Sequence, residues 1–302
     1  MLIQAVESYL EVRRACGFEL KKPGRHLRSF ALFSQKRGKT YVCSNVAIEW
    51  AGLVESGEQR ARRLGDVIRF SRYVRAENPS HELPPPVFGS EKRLRPIPYI
   101  FSPEDIIRLV QAVSESGYLT LRRKTYSTLF ALLACTGLRV SEAIRLRYED
   151  ITPDGLVIRC TKFHKSRLVP LHETAQAGIA RYLELRRPYA PFDNHVFISL
   201  RRKPLLAADV DRTFQTVVNK IGLQPRPGLP RPTPHSLRHT FAVRALETCP
   251  DGRDHITKHM LALSTYLGHG NVSHTYWYLE AVPELMKTIA EHCESFFVGG
   301  KP

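Results

Sequence analysis

Residues 81–98 read HELPPPVFGSEKRLRPIP, and no other stretch limits so strongly what this chain can fold into. Its five prolines remove backbone donors and hold their neighbours in polyproline geometry, so neither a helix nor a sheet interior can run through it. The chain is therefore expected to fold as two domains, residues 1–83 and 99–302, joined by a semi-extended basic linker over residues 84–98. With 302 residues there is ample chain to bury a core in each.

Before the linker every periodic stretch is helical. Leu2, Ala5, Val6, Tyr9 and Leu10 form one stripe, and a second helix is expected from Pro23 to about Lys36. Ser44 can cap a third, and a fourth spans about Arg60 to Ala76. On that fourth helix Leu64, Val67, Ile68, Ser71 and Val74 share one side, with Arg62, Arg69 and Arg72 on the other. Those arginines suit either a solvated face or contacts with a polyanion backbone. Net charge bears on the choice: 45 Lys and Arg stand against 29 Asp and Glu, giving +16, and both sides of the linker are basic. Nucleic acid is the leading partner class, although a basic surface by itself could equally mean RNA in particular, membrane lipid or nothing specific.

After the linker, Ser102-Pro-Glu-Asp opens a helix with Ser102 as its cap. Tyr126 to Ala134 is apolar on nearly all sides and predicts a central buried helix. Two short β-type runs, Leu156–Cys160 and Arg167–Leu171, predict a hairpin whose turn carries Lys162, His164 and Lys165. Helices are expected over Glu173–Arg187, Asp209–Ile221 and Ser236–Glu247, and Arg201, Arg202 and Lys203 fall on a turn that solvent or nucleic acid could claim. The fold class is thus mainly α with a small β-hairpin. Six cysteines without paired spacing predict reduced, buried thiols. No signal-peptide core or membrane-length apolar run is evident, so a cytoplasmic protein is expected.

The richest chemistry lies in residues 233–278. His235, Arg238 and His239 share one helix face at i, i+3, i+4 spacing, next to a Pro234 helix start. Backbone N–H groups, a positive dipole end and a fixed cation form an anion site, above all for phosphate. Nine residues past His269 stands Tyr278, a candidate oxygen nucleophile. Each signal has a plainer reading. Histidines four apart can bind zinc, as could His255 and His259, but neither pair carries an adjacent Glu or a CxxC partner. Tyr276, Trp277 and Tyr278 could equally be core aromatics.

Upstream, Thr136-Gly-Leu-Arg-Val-Ser-Glu142 sets Arg139 after a glycine turn. With that box, the hairpin lysine, His235-x-x-Arg238, Leu-Gly-His269 and Tyr278 in order, the chain resembles the tyrosine recombinases, or phage integrase family, strongly over roughly residues 99–290. The resemblance implies a catalytic set of Arg139, Lys162, His235, Arg238, His269 and Tyr278. It implies an N-terminal helical domain that grips DNA opposite an α+β catalytic domain. It also implies site-specific cutting and rejoining of double-stranded DNA, through a 3′-phosphotyrosyl bond that stores the phosphodiester energy. Arg139 and Arg238 would clamp the non-bridging oxygens and His269 would hydrogen-bond the phosphate. Lys162 would protonate the leaving 5′ oxygen, with His235 as its acid/base partner. Glu142 would orient Arg139. No metal or other cofactor is called for, because the arginines supply the charge stabilisation.

Some choices stay open. Tyr276 lies about 200° around a helix from Tyr278, so at most one faces the pocket. Lys165 competes with Lys162 and is otherwise assigned to DNA contact with Arg62, Arg69, Arg72, Arg201, Arg202 and Lys203. Type IB topoisomerases and telomere resolvases share the chemistry, and a catalytically idle DNA-binding regulator could share the fold. Integration or excision of a mobile element is the expected use. Beyond Tyr278, Val282, Leu285, Met286, Ile289, Ala290, Cys293, Phe296 and Phe297 recur at helical spacing. That stripe could pack in cis, or could dock residues 284–297 into a neighbour as a homodimer to homotetramer assembles on DNA.

Overall fold

The computed structural model describes residues 2–89, 97–159, 166–223, 230–248 and 253–268, together with Asn271, Thr275 and Tyr278. Lys162, His164, Lys165, His269, Tyr276, Trp277 and the stripe after Tyr278 lie outside the described residues. The chain divides into two compact units, Met1–Arg95 and Pro96–Pro302, so the division falls within the proline-rich stretch.

The first unit holds four helices: α1 (Leu2–Ala15), α2 (Lys21–Lys36), α3 (Ser44–Gly52) and α4 (Gly57–Glu77). Their apolar stripes meet in one core built on Val6, Leu10, Leu27, Phe30, Trp50, Leu64, Val67 and Phe70. Each such side chain withdrawn from water stabilises the unit by about 1.5–3 kcal/mol before the cost of ordering the chain. Trp50 is fixed on two sides, donating from Nε1 to Ser29 Oγ at 3.3 Å and lying under the Arg63 guanidinium at 4.0 Å.

Two expectations for this unit need correction. Helix α2 starts before Pro23, after a left-handed Leu20, because Pro fits any position of a first turn where no donor is required. Ser44 is the first helical residue of α3 and not its cap; its backbone N–H donates to a Glu82 carboxylate oxygen at 2.7 Å. The same segment gives Glu82 N to Val42 O at 2.9 Å and receives Val42 N on His81 Nδ1 at 3.0 Å, while Phe88 packs on the core. The front half of the proline-rich stretch is therefore stitched to the first unit.

In the second unit α5 (Pro103–Ser114) begins with a capping box between Ser102 and Asp105. Then come α6 (Thr120–Thr136) and the single turn α7 (Val140–Ala143). An antiparallel sheet of β1 (Ile151–Thr152), β2 (Gly155–Ile158) and β3 (Arg167–Val169) follows, in the order β1-β2-β3. Leu156 pairs with Val169 and Ile158 with Arg167, giving the expected hairpin; β1 is an added edge too short to show a period in sequence. The remaining helices are α8 (Glu173–Arg186), α9 (Ala207–Lys220), α10 (Pro234–Glu247) and α11 (Arg253–Leu267).

Helix α6 is central, packing on α5, α8 and α10. Leu129, Phe130 and Leu133 are fully buried on it, and Phe130 meets Phe214 of α9 edge to face at 5.2 Å. The class is thus mainly α with one small sheet. The thiol expectation holds only in part: Cys43 is buried, whereas Cys16 and Cys135 are exposed. No described helix is long and apolar enough to cross a membrane.

Candidate active site

Helix α10 begins at Pro234, with Thr233 N donating to Ser236 Oγ at 3.1 Å to close its first turn. This start puts Arg238 one turn in, facing α6, where it is only 1% exposed. Its guanidinium donates to Gly137 O at 2.7 Å and to Leu267 O at 2.6 Å, the carbonyls that close helices α6 and α11. Such carbonyls carry the negative end of a helix dipole, so one buried cation satisfies two helix termini. Burial, then the charge of Arg139, lowers the Arg238 pKa to about 10, against the opposing pull of Tyr278 and Glu142; it stays protonated at neutral pH.

Arg139 is reached through Gly137, a left-handed C-cap at φ 61°. A Cβ there would stand 2.6 Å from the Phe241 ring of α10, so only glycine lets α6 end this close. The Arg139 backbone N–H donates to Glu142 Oε2 at 3.0 Å; its guanidinium donates to Glu142 Oε1 at 2.7 Å and to Gly268 O at 3.1 Å. Glu142 also takes Arg167 of β3, from Nη2 to Oε2 at 2.8 Å. Burial alone would raise the Glu142 pKa. The hydrogen bonds from Arg167 and the Arg139 backbone, with both charges, outweigh it and hold the carboxyl at about 2. Two guanidinium groups thus share one carboxylate, and with Arg238 held on carbonyls beside them the excess is positive.

His235, at the exposed edge, has its pKa lowered to about 4. Protein crowded round the ring comes first among the causes, then the charges of Arg238 and Arg139. It is therefore neutral at pH 7, an imidazole able to accept a proton. Its ring meets that of His239 edge to face at 4.5 Å. His239 Nδ1 in turn lies 3.0 Å from Tyr278 Oη. Tyr278 is only 2% exposed and packs with Ala242, Val243, Leu246, Met260, Leu263 and Leu267. The phenol thus has an apolar body in the α10–α11 wall and a polar tip turned to the histidine pair.

Of the residues singled out from sequence, Arg139, Glu142, His235, Arg238 and Tyr278 come together here. Arg62, Arg69 and Arg72 are exposed on α4, Arg62 paired with Glu58 at 2.5 Å and Arg69 with the buried Asp66. Arg201, Arg202 and Lys203 are exposed on a tight turn, closed by Ser199 N to Lys203 O at 2.8 Å. Two residues of the pocket lacked an assigned role. His239 shares the face of His235 and Arg238, and that spacing could have nominated it. Arg167 opens β3 with partners 25 and 99 residues away, which no local pattern signals. Among the described residues no group of three or more His, Cys, Asp or Glu could hold a metal. His259 has a structural partner, lying 2.6 Å from Ala245 O.

Residues 100–284 match the Phage integrase family. A putative integrase/recombinase y4rB of Sinorhizobium fredii is 36% identical over 96% of each chain. Among solved structures, the Tn1549 transposon integrase in complex with transposon right end DNA superposes with a TM-score of 0.66 at 19% identity, covering 96% of this chain and 98% of that one. A lambda integrase tetramer bound to a Holliday junction gives 0.62 at 17%, covering 89% and 77%. With the family match spanning more than half of its length, the chain belongs to the phage integrase family, the tyrosine recombinases.

Proposed function

We propose that the chain cuts and rejoins double-stranded DNA at specific sites, with Tyr278 as nucleophile. The observation that carries this reading is the Tyr278 hydroxyl, 3.0 Å from His239 on the helix that also presents His235 and the buried Arg238. With the His239 proton on Nε2, Nδ1 accepts the phenol's hydrogen and aims the oxygen. Tyr278 Oη bonds to phosphorus as the bond to the 5′ oxygen breaks, leaving a 3′-phosphotyrosyl link and a free 5′ hydroxyl. Arg139 and Arg238 offset charge on the non-bridging oxygens, His269 hydrogen-bonds one of them, and Lys162 protonates the departing oxygen, with neutral His235 as acid/base partner. Reversal on a different strand end completes the exchange without ATP, metal or other cofactor.

Arg62, Arg69 and Arg72 of the first unit, with Lys165, Arg201, Arg202 and Lys203, serve as backbone contacts along the duplex. The first unit acts as the helical DNA-binding domain, residues 84–98 as the link and the second unit as the catalytic domain. Integration or excision of a mobile element fits best, in line with the integrase names of its relatives. Assembly as a homodimer to homotetramer on DNA, with residues 284–297 docked into a neighbour, suits the exchange of two duplexes; the place of action is the cytoplasm.

The test is a nicked DNA carrying the recombination site of the protein's own element, incubated in EDTA. A denaturation-resistant protein–DNA complex should form with the wild type and be absent with Tyr278→Phe, while both bind the DNA. Restoration of a chelator-killed activity by zinc or magnesium would contradict the reading.

A further inference from the structure

Arg167 has no part in the chemistry described above, yet it is among the most firmly tethered cations of the second unit. Its side chain is 11% exposed at the start of β3. Nε donates to Tyr266 O at 2.7 Å, while Nη1 and Nη2 donate to the two oxygens of Glu142 at 3.2 and 2.8 Å. Arg139 holds the same carboxylate through its backbone N–H and Nη1. The guanidinium also comes close to Gly268: a Cβ at that residue, whose φ is 66°, would be 2.8 Å from Nη1. One side chain therefore ties together the hairpin strand, the turn that carries Arg139 and the end of α11.

The electrostatic consequence concerns Arg139. With Arg167 present, Glu142 divides its charge between two cations and is fixed by a planar two-point fork. Without it, Glu142 would face Arg139 as a one-to-one pair. The carboxylate could then turn to take more of the Arg139 N–H groups, and the cation meant for phosphate would be neutralised internally. We propose that Arg167 is a positioning residue for strand cleavage, holding Glu142 so that Arg139 keeps both its aim and its unspent positive charge for the scissile phosphate. This rests on the reading of the pocket as a recombinase site. Lysine could supply the charge but not the fork, and glycine at 268 is needed so that the fork can reach.

The experiment compares single-turnover formation of the covalent complex on an ordinary nicked site and on one whose scissile phosphate is a methylphosphonate. The methylphosphonate is neutral and asks less of Arg139. Arg167→Ala should slow formation by about 100-fold on phosphate, the scale expected when a charge-stabilising group is misplaced. On methylphosphonate the deficit relative to wild type should shrink to under about tenfold. Arg167→Lys should lie between, with the same relief, and carries the test if the alanine variant does not fold. Adding Glu142→Gln to Arg167→Ala should recover part of the phosphate rate, since the competing carboxylate is gone. Equal deficits on both substrates, or no deficit on phosphate, would overturn the proposal while leaving the recombinase reading intact. Failure of the wild type to form any adduct would instead overturn that reading.

Discussion

The arginines of α4 and those of the pocket are the same residue used in two physical regimes. Arg62, Arg69 and Arg72 stand in solvent, two of them paired with an acid three or four residues away on their own helix. A pair exposed on both sides, as Arg62–Glu58 is, contributes little, about 0–1 kcal/mol, and is screened by salt. Arg139, Arg167 and Arg238 are each held by carbonyls far off in sequence, at the ends of α6 and α11, and Arg139 and Arg167 share the Glu142 carboxylate as well. An exposed arginine can follow a flexible duplex and add to affinity. One pinned to helix termini is held in place, as charge stabilisation of a transition state would require. Binding and chemistry should therefore separate cleanly between the two groups.

The largest expected break is at Arg238. Arg238→Ala leaves Gly137 O and Leu267 O buried without their donor, at a cost of about 1–3 kcal/mol for each orphaned carbonyl. Denaturant unfolding should show that loss. Covalent complex formation should fall by about 100-fold or more, with DNA affinity far less affected. If cleavage survives, or if affinity falls as much as rate, the division between the two groups fails.

Acid offers a smaller contrast within the pocket. His235 has a folded pKa of about 4 against 6.5 unfolded, so between those values the unfolded chain binds a proton that the native state refuses. Stability should therefore fall as pH drops from 6.5 towards 4 and be flat in this respect above. Glu142 works lower: its contribution is complete above its ordinary value of 4.5 and disappears only as pH falls through about 2. Urea midpoints between pH 4 and 8 should show a shallower acid loss in His235→Gln. An unchanged slope would mean that the ring is not held neutral.

The smallest effect is predicted at α4. Replacing Arg62, Arg69 and Arg72 together by alanine should weaken DNA binding and lower the salt slope by about 0.9 per lost phosphate contact. The single-turnover rate at saturating DNA should stay within severalfold of wild type. An unchanged salt dependence would make that face merely solvated.

The helices and the proline-rich break were legible because their signals are local: apolar period, a capping serine, prolines without donors. Much of the site was legible too, since His235, Arg238 and Tyr278 sit at recognisable spacings. What escaped was set by tertiary structure. Arg167 owes its place to partners on two other segments, and Ser44 is the first residue of α3 with its N–H on Glu82. The exposure of Cys16 and Cys135 is likewise decided by neighbours and not by residue type. His239 looked surplus because only the folded chain returns Tyr278 to it across 39 residues.

The proposed role of Tyr278, seated on His239, is to supply the oxygen that joins protein to DNA. Its most direct test is to trap the covalent complex on a nicked site, digest both partners and identify by mass spectrometry the peptide that carries the nucleotide. The modification should fall on Tyr278, with Tyr276→Phe still forming the adduct. A nucleotide on Tyr276, or on any other residue, would contradict it.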